Sequence, residues 1–215
     1  MKPVYLIFIT LIFCTSFVCD TKQNDYTLIR DESGIKVYAK KGTTSVKSLK
    51  LVTTVKARIS SIVYLLLDKP NYPNWVYRCI GSYEITKVTD YEYYHYQETS
   101  VPWPAENRDV ILWFRMSQNP TTKVMTITIS AKPDYLPRKS GKVRITQMDA
   151  KWILTPLANG DCVIEYYLSI DPGGSVPGWI VNMGITDGPI ETMKNMNKQL
   201  VLDKYKNVKL SFIRD

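Results

Sequence analysis

The sequence predicts an α+β fold in which a curved antiparallel sheet grips one long C-terminal helix. Three observations carry this. Short strand-like runs follow one another from about residue 82 to 170, separated by turns containing Asn and Gly. From Pro177 onward the apolar period changes from two to about 3.6. No repeat, Pro- or Gly-rich linker or low-complexity tract divides the chain, and 215 residues suit one domain.

The first residues stand apart. Lys2 precedes an apolar run from Val4 to Phe13 and the small-residue zone Cys14-Thr15-Ser16, the order of a secretory signal. That run is about half of the roughly twenty residues a membrane-spanning helix needs. Residues 1–19 are therefore expected to be a signal peptide and residues 20–26 a polar tether. Cys19, between the signal and Asp20-Thr21-Lys22-Gln23-Asn24-Asp25, has the setting of a lipoprotein acceptor. Cleavage after Ser16 or Cys19 without lipidation is the other reading. Both make the protein exported, periplasmic or envelope-associated, with a lipid anchor at Cys19 in the first.

Residues 27–215 form the expected domain. Asp31-Glu32-Ser33-Gly34 reads as a turn, and Ile35-Lys36-Val37-Tyr38-Ala39 alternates as a half-buried strand does. Residues 46–56 alternate likewise. Ser60-Ser61 suit a helix cap, Ile62, Val63, Leu65, Leu66 and Leu67 the helix, and Lys69-Pro70 its end. Asn71-Tyr72-Pro73-Asn74-Trp75 suits a short turn that tucks its rings inward. Strands are expected over about 82–90, 92–100, 108–119, 123–132, 143–155 and 161–170. Asn119-Pro120-Thr121-Thr122 and Asn159-Gly160-Asp161 connect them, because Asn and Gly tolerate the backbone angles of tight turns. In the last helix Trp179, Ile180, Met183, Ile190, Met193, Met196 and Leu200 recur at helical spacing. Pro177 fits its start, while Gly184 and Gly188-Pro189 predict a kink near 184–189.

Two stretches say more. Val101-Pro102-Trp103-Pro104-Ala105-Glu106-Asn107-Arg108-Asp109-Val110 opens a strand. Asp171-Pro172-Gly173-Gly174-Ser175-Val176-Pro177-Gly178-Trp179-Ile180-Val181-Asn182 ends one and opens the helix. In this order and spacing they resemble the START family, the lipid-transfer domains related to the steroidogenic acute regulatory protein, over about residues 27–205. The resemblance implies the helix-grip fold, an elongated apolar cavity between sheet and helix, and a lipid carrier in place of a catalyst. Sterol-binding relatives carry a buried arginine five positions after the aspartate of the Arg-Asp pair. Here that position is Phe114, and Arg115 is one residue out of phase, which weakens a sterol assignment. The Asp171–Trp179 stretch sits nearer the phospholipid-carrying members.

A lipid tail leaving a membrane needs a water-free apolar slot, worth about 0.8 kcal/mol per buried methylene. Val110, Leu112, Phe114 and Met116 share one strand face, and Ile111, Trp113 and Arg115 the other. The first four are candidate cavity wall, as are Arg115 if a bulge restores its phase, Trp179, and Met183 beside the expected kink. On the preceding strand Tyr94, Tyr96 and Glu98 share a face opposite His95 and Gln97. Tyr96 and Glu98 are candidate headgroup contacts, although which set points inward is open. Arg108 and Asp109 point to opposite faces, and each is expected to fix a neighbouring loop. Trp103 is expected to pack under its Pro-flanked turn or, in a second reading, to touch a membrane from the loop tip.

The formal charge of +8 includes Lys2 of the signal and is dispersed, no basic run being longer than Lys40-Lys41. Dispersed charge favours transient membrane-surface contact, about 1 kcal/mol per residue near anionic lipid, over a nucleic-acid groove. Cys79 and Cys162 lack metal or redox spacing and read as a disulfide or as buried free thiols. With one histidine, His95, and no HExxH, GxSxG or P-loop pattern, neither enzyme, cofactor nor metal is expected. Two other readings stay open: a helix-grip cyclase or hydrolase acting on a hydrophobic substrate, and an interaction protein with a filled cavity. The expected partner is a lipid or other hydrophobic small molecule, and the chain is expected to act as a monomer.

Overall fold

The computed structural model describes residues 26–40 and 47–215. The expected signal, nearly all of the tether, and Cys19 lie outside these residues. Strands β1 (Tyr26–Glu32), β2 (Ile35–Lys40) and β3 (Lys47–Val55) precede helix α1 (Ile59–Leu67) and a 3-10 turn, Lys69–Asn74. Then come β4 (Cys79–Thr89), β5 (Glu92–Thr99), β6 (Asn107–Gln118), β7 (Met125–Ala131), β8 (Lys142–Arg144), β9 (Gln147–Pro156), β10 (Cys162–Asp171) and helix α2 (Gly178–Leu200). Among the described residues the strands form one sheet, ordered β1-β2-β3-β10-β9-β7-β6-β5-β4, with β8 beside β6.

Three expectations are corrected. Tyr26, placed at the end of the tether, opens β1, which sequence patterning missed. Its hairpin follows from Ser33 and Gly34, both at positive φ (55° and 76°), the geometry of a two-residue turn that suits the twist of paired strands. The expected strand 143–155 is two strands, β8 pairing parallel with β6 and β9 antiparallel with β7 and β10. Ser60-Ser61 do not cap α1. The helix begins at Ile59, and the Ser60 N–H is met by the Asp215 carboxylate from the end of the chain at 2.8 Å.

Register explains the core. Tyr93, Phe114, Ile129, Ala150, Leu168 and Leu49 lie opposite one another across β5, β6, β7, β9, β10 and β3. Met116, Ile127, Trp152, Tyr166, Leu51 and Val37 form the next row. Because side chains alternate along a strand, both rows line the same concave face, and α1 and α2 cover it. Register shifts among the described pairings fall only in β1–β2 and β4–β5, so each edge strand is bulged.

Helix α2 is one continuous element with Pro189 inside it, and its halves differ. Ile190, Met193, Met196 and Leu200 are buried, whereas Trp179, Asn182 and Gly184 are exposed. Beyond it, residues 201–215 return along the protein. Tyr205 is buried, Phe212 meets the Tyr91 ring edge-on at 5.3 Å, and the Arg214 backbone exchanges hydrogen bonds with Gln118 at 2.6 and 2.9 Å.

Candidate cavity beneath the first half of the C-terminal helix

An apolar cavity of about 230 Å³ lies between the first half of α2 and one end of the sheet. The helix contributes Ile180, Val181, Met183 and Gly184, while Leu49, Leu168 and Ile170 come from the concave face. Loops close the sides through Tyr77, Arg78, Val101, Pro102, Pro172 and Val176. The two distinctive sequence stretches thus meet at one site.

Arg108 supplies the polar floor, with its charge engaged. Its guanidinium donates to the carbonyls of Gly173 at 3.1 Å, Pro172 at 3.4 Å, and Glu106. Burial lowers its affinity for a proton from the ordinary arginine value. Positive φ at Gly173 and Gly174 (65° and 61°) turns this loop onto the guanidinium; a Cβ at Gly174 would lie 3.7 Å from Arg108 Nη2. Asp109, on the opposite face, forms a bidentate pair with Arg144 at 2.8 and 2.9 Å, and Arg144 also donates to the carbonyls of Pro133, Leu136 and Pro137. Each residue of the Arg-Asp pair therefore fixes a neighbouring loop.

Of the sequence-derived candidates, Met183 lines the cavity. Val110, Leu112, Phe114 and Met116 face inward but are packed into the core farther along the sheet. Tyr96 and Glu98 lie on the other face. Tyr96 stacks on Tyr83 at 4.9 Å, and Glu98 pairs with Lys142. Arg115 is exposed over the Trp113 ring at 4.1 Å, and β5–β6 carries no bulge to shift its phase. Trp179 is 55 % exposed and Trp103 89 % exposed, so neither packs inward. Cys79 and Cys162 are buried free thiols, raised by burial to about 11 and about 12.

Several lining residues escaped the sequence reading. Leu168 and Ile170 had a signal, the alternation of β10 running into Asp171-Pro172. Leu49, Thr99 and Ile145 had none, because only the sheet register brings them together.

The START domain model matches residues 18–204, and the chain belongs to this family. An uncharacterized protein of Pseudomonas aeruginosa is 29% identical over 80% of this chain and 85% of its own length. The mouse phosphatidylcholine transfer protein is 27% identical over 81% of this chain and 83% of its own. A crystallised fragment of a STAR-related lipid transfer protein from Xanthomonas axonopodis superposes with a TM-score of 0.76 at 32% identity, covering 83% of this chain and 100% of the fragment. The helix-grip architecture is thus shared with lipid-transfer relatives.

Proposed function

We propose that this protein binds, and transfers between membranes, a lipid or other hydrophobic small molecule held non-covalently under the first half of α2. The observation that carries the reading is the division of that helix. Its second half is anchored in the core, whereas its first half covers the apolar cavity and leaves its own outer face in water. Gly184 and Gly188-Pro189 lie at the junction, where the missing side chain and missing N–H weaken the helix. Swinging the first half outward opens the slot while the core stays closed.

The volume argues for this movement. About 230 Å³ is below the roughly 300–1,000 Å³ of pockets that enclose drug-sized ligands. A lipid therefore enlarges the cavity as it loads. The exposed Trp103 and Trp179 adjoin lining residues, and amphipathic rings suit a membrane surface, so we assign them to docking. The names of the mouse and Xanthomonas relatives favour carriage over catalysis, and the first favours a phospholipid. In this reading the chain is exported and works at the envelope as a monomer.

Native mass spectrometry of protein purified from its own envelope, with lipid extraction of the same sample, tests this. One bound lipid per chain is the expected result. A bare chain that also takes nothing from mixed-lipid vesicles overturns the proposal and favours a filled-cavity interaction protein.

A further inference from the structure

We infer that the core beyond the cavity holds a polar subsite, formed by Lys69, His95, Tyr93 and Trp75, that receives an anionic oxygen group on the bound lipid. The inference rests on the carrier reading and adds to it the charge and orientation of the ligand.

Lys69 is 1% exposed, and its Nζ donates to the Leu66 carbonyl. An ammonium has three donors, and no carboxylate lies within ion-pair distance of this one among the described residues. Instead it sits against the rings of Tyr93 at 4.0 Å, Phe114 at 5.2 Å and Tyr72 at 5.3 Å. His95 is fully buried, with the Gln97 side chain near enough to act on its ring but no hydrogen bond of ordinary geometry to either nitrogen; the Tyr93 hydroxyl and Trp75 Nε1 are buried without a partner. These groups are contiguous. The His95 ring lies 4.7 Å from Phe114, 5.6 Å from Tyr72 and 6.5 Å from Tyr93, and Trp75 lies 5.0 Å from Tyr72. Buried polar atoms are nearly always satisfied, so a cluster of orphaned ones points to a missing partner.

The chemistry of that partner follows from the inventory. Lysine, tryptophan, tyrosine and histidine can all present N–H or O–H here, and the Tyr72 hydroxyl already donates to the Leu66 carbonyl. The complement is an acceptor with negative charge, a carboxylate or phosphate oxygen. Burial drives the lysine well below its ordinary proton affinity against the weaker opposing pull of Glu84 and Asp68, and an anion placed beside it would favour the charged ammonium again.

Position connects the subsite to the cavity. His95 and the cavity-lining Thr99 share the inward face of β5, about 13 Å apart along the strand. A ligand whose acidic end lies at Lys69 can therefore extend its chain toward the helix gate. The Tyr93 and Phe114 rings stack at 4.8 Å beside the lysine, so entry parts them.

The test compares oleic acid with methyl oleate, and phosphatidic acid with diacylglycerol, each delivered from cyclodextrin to the full chain. The wild type should prefer the acidic member of at least one pair by roughly tenfold. The preferring pair identifies carboxylate or phosphate. Lys69→Met keeps length and removes charge; it should abolish the preference without weakening the neutral ligand, and His95→Leu should reduce it. Equal binding of acid and neutral partner by the wild type overturns the subsite while leaving the carrier reading intact, and leaves the donors to buried water. Binding of none of the four ligands by a chain that does take lipid from mixed-lipid vesicles overturns the subsite alone, whereas binding nothing in either assay overturns the carrier reading and the subsite with it.

Discussion

Single residues divide here into those that line the slot and those that hold its frame. Met183→Arg places a charge in the cavity wall on a partly exposed helix half, where the new side chain can reach water. It should reduce lipid binding at least tenfold with a near-normal circular dichroism spectrum. Phe114→Arg is a different experiment, because Phe114 is 3% exposed and stacked on Tyr93. That charge has no route to solvent and should unfold the protein or lower its melting temperature sharply. Asp109 belongs to the frame. Asp109→Ala strands a buried guanidinium and should cost about 3–5 kcal/mol in denaturant unfolding, since the penalty for an unpaired buried charge exceeds the worth of the pair.

At the scale of elements, the C-terminal return acts as a clasp. Asp68, at the end of α1, is held by Lys204 and Tyr205 from the returning segment. Partial burial pushes the Asp68 carboxyl up, but these two hydrogen bonds outweigh it and hold it below its ordinary value. Burial and the carboxylate together raise the Tyr205 phenol to about 12. The sign follows directly. A carboxyl depressed in the fold contributes stability above its unfolded value and loses it as pH falls through the folded one. Hydrogen exchange in residues 201–215 should therefore accelerate below the ordinary aspartate range, and Asp68→Asn should show fast exchange already at neutral pH. Unchanged protection in both would assign the clasp to Tyr205 packing alone. Gly188 has a related role. A Cβ there would come within 3.0 Å of the Tyr77 ring, and the Tyr77 N–H is held by Thr192 at 3.0 Å, so helix and cavity wall meet at a point with no spare room.

Across the whole molecule, legibility in the sequence tracked locality. The period change at Pro177, the turns at Asn119 and Asn159, and the two family stretches are local patterns, and the structure carries them as elements. The inward face of β6 was also legible, because parity alone groups Val110, Leu112, Phe114 and Met116. What parity does not carry is position along the face. Those four side chains point inward yet pack deeper than the cavity, whose wall is assembled from residues as distant as Leu49 and Ile180. The face of β5 needed its partners too: His95 faces inward because it pairs with Leu112, and that turns Tyr96 and Glu98 away. Lys69 was invisible as a buried residue, since a lysine beside a proline at a helix end reads as solvated.

The bulged outer strands bear on colloidal behaviour. An open sheet offers two unpaired backbone edges, and β1 and β4 carry exposed apolar side chains, Leu28 and Ile29 on one and Ile80 and Val88 on the other. A flat edge of that composition would recruit a second copy strand to strand. Here a register shift interrupts β1 between Leu28 and Arg30, and three interrupt β4 between Cys79 and Thr89. An incoming strand falls out of step with the ladder after a few residues. A sheet that curves around an apolar cavity is in this way also kept from zippering onto its neighbours.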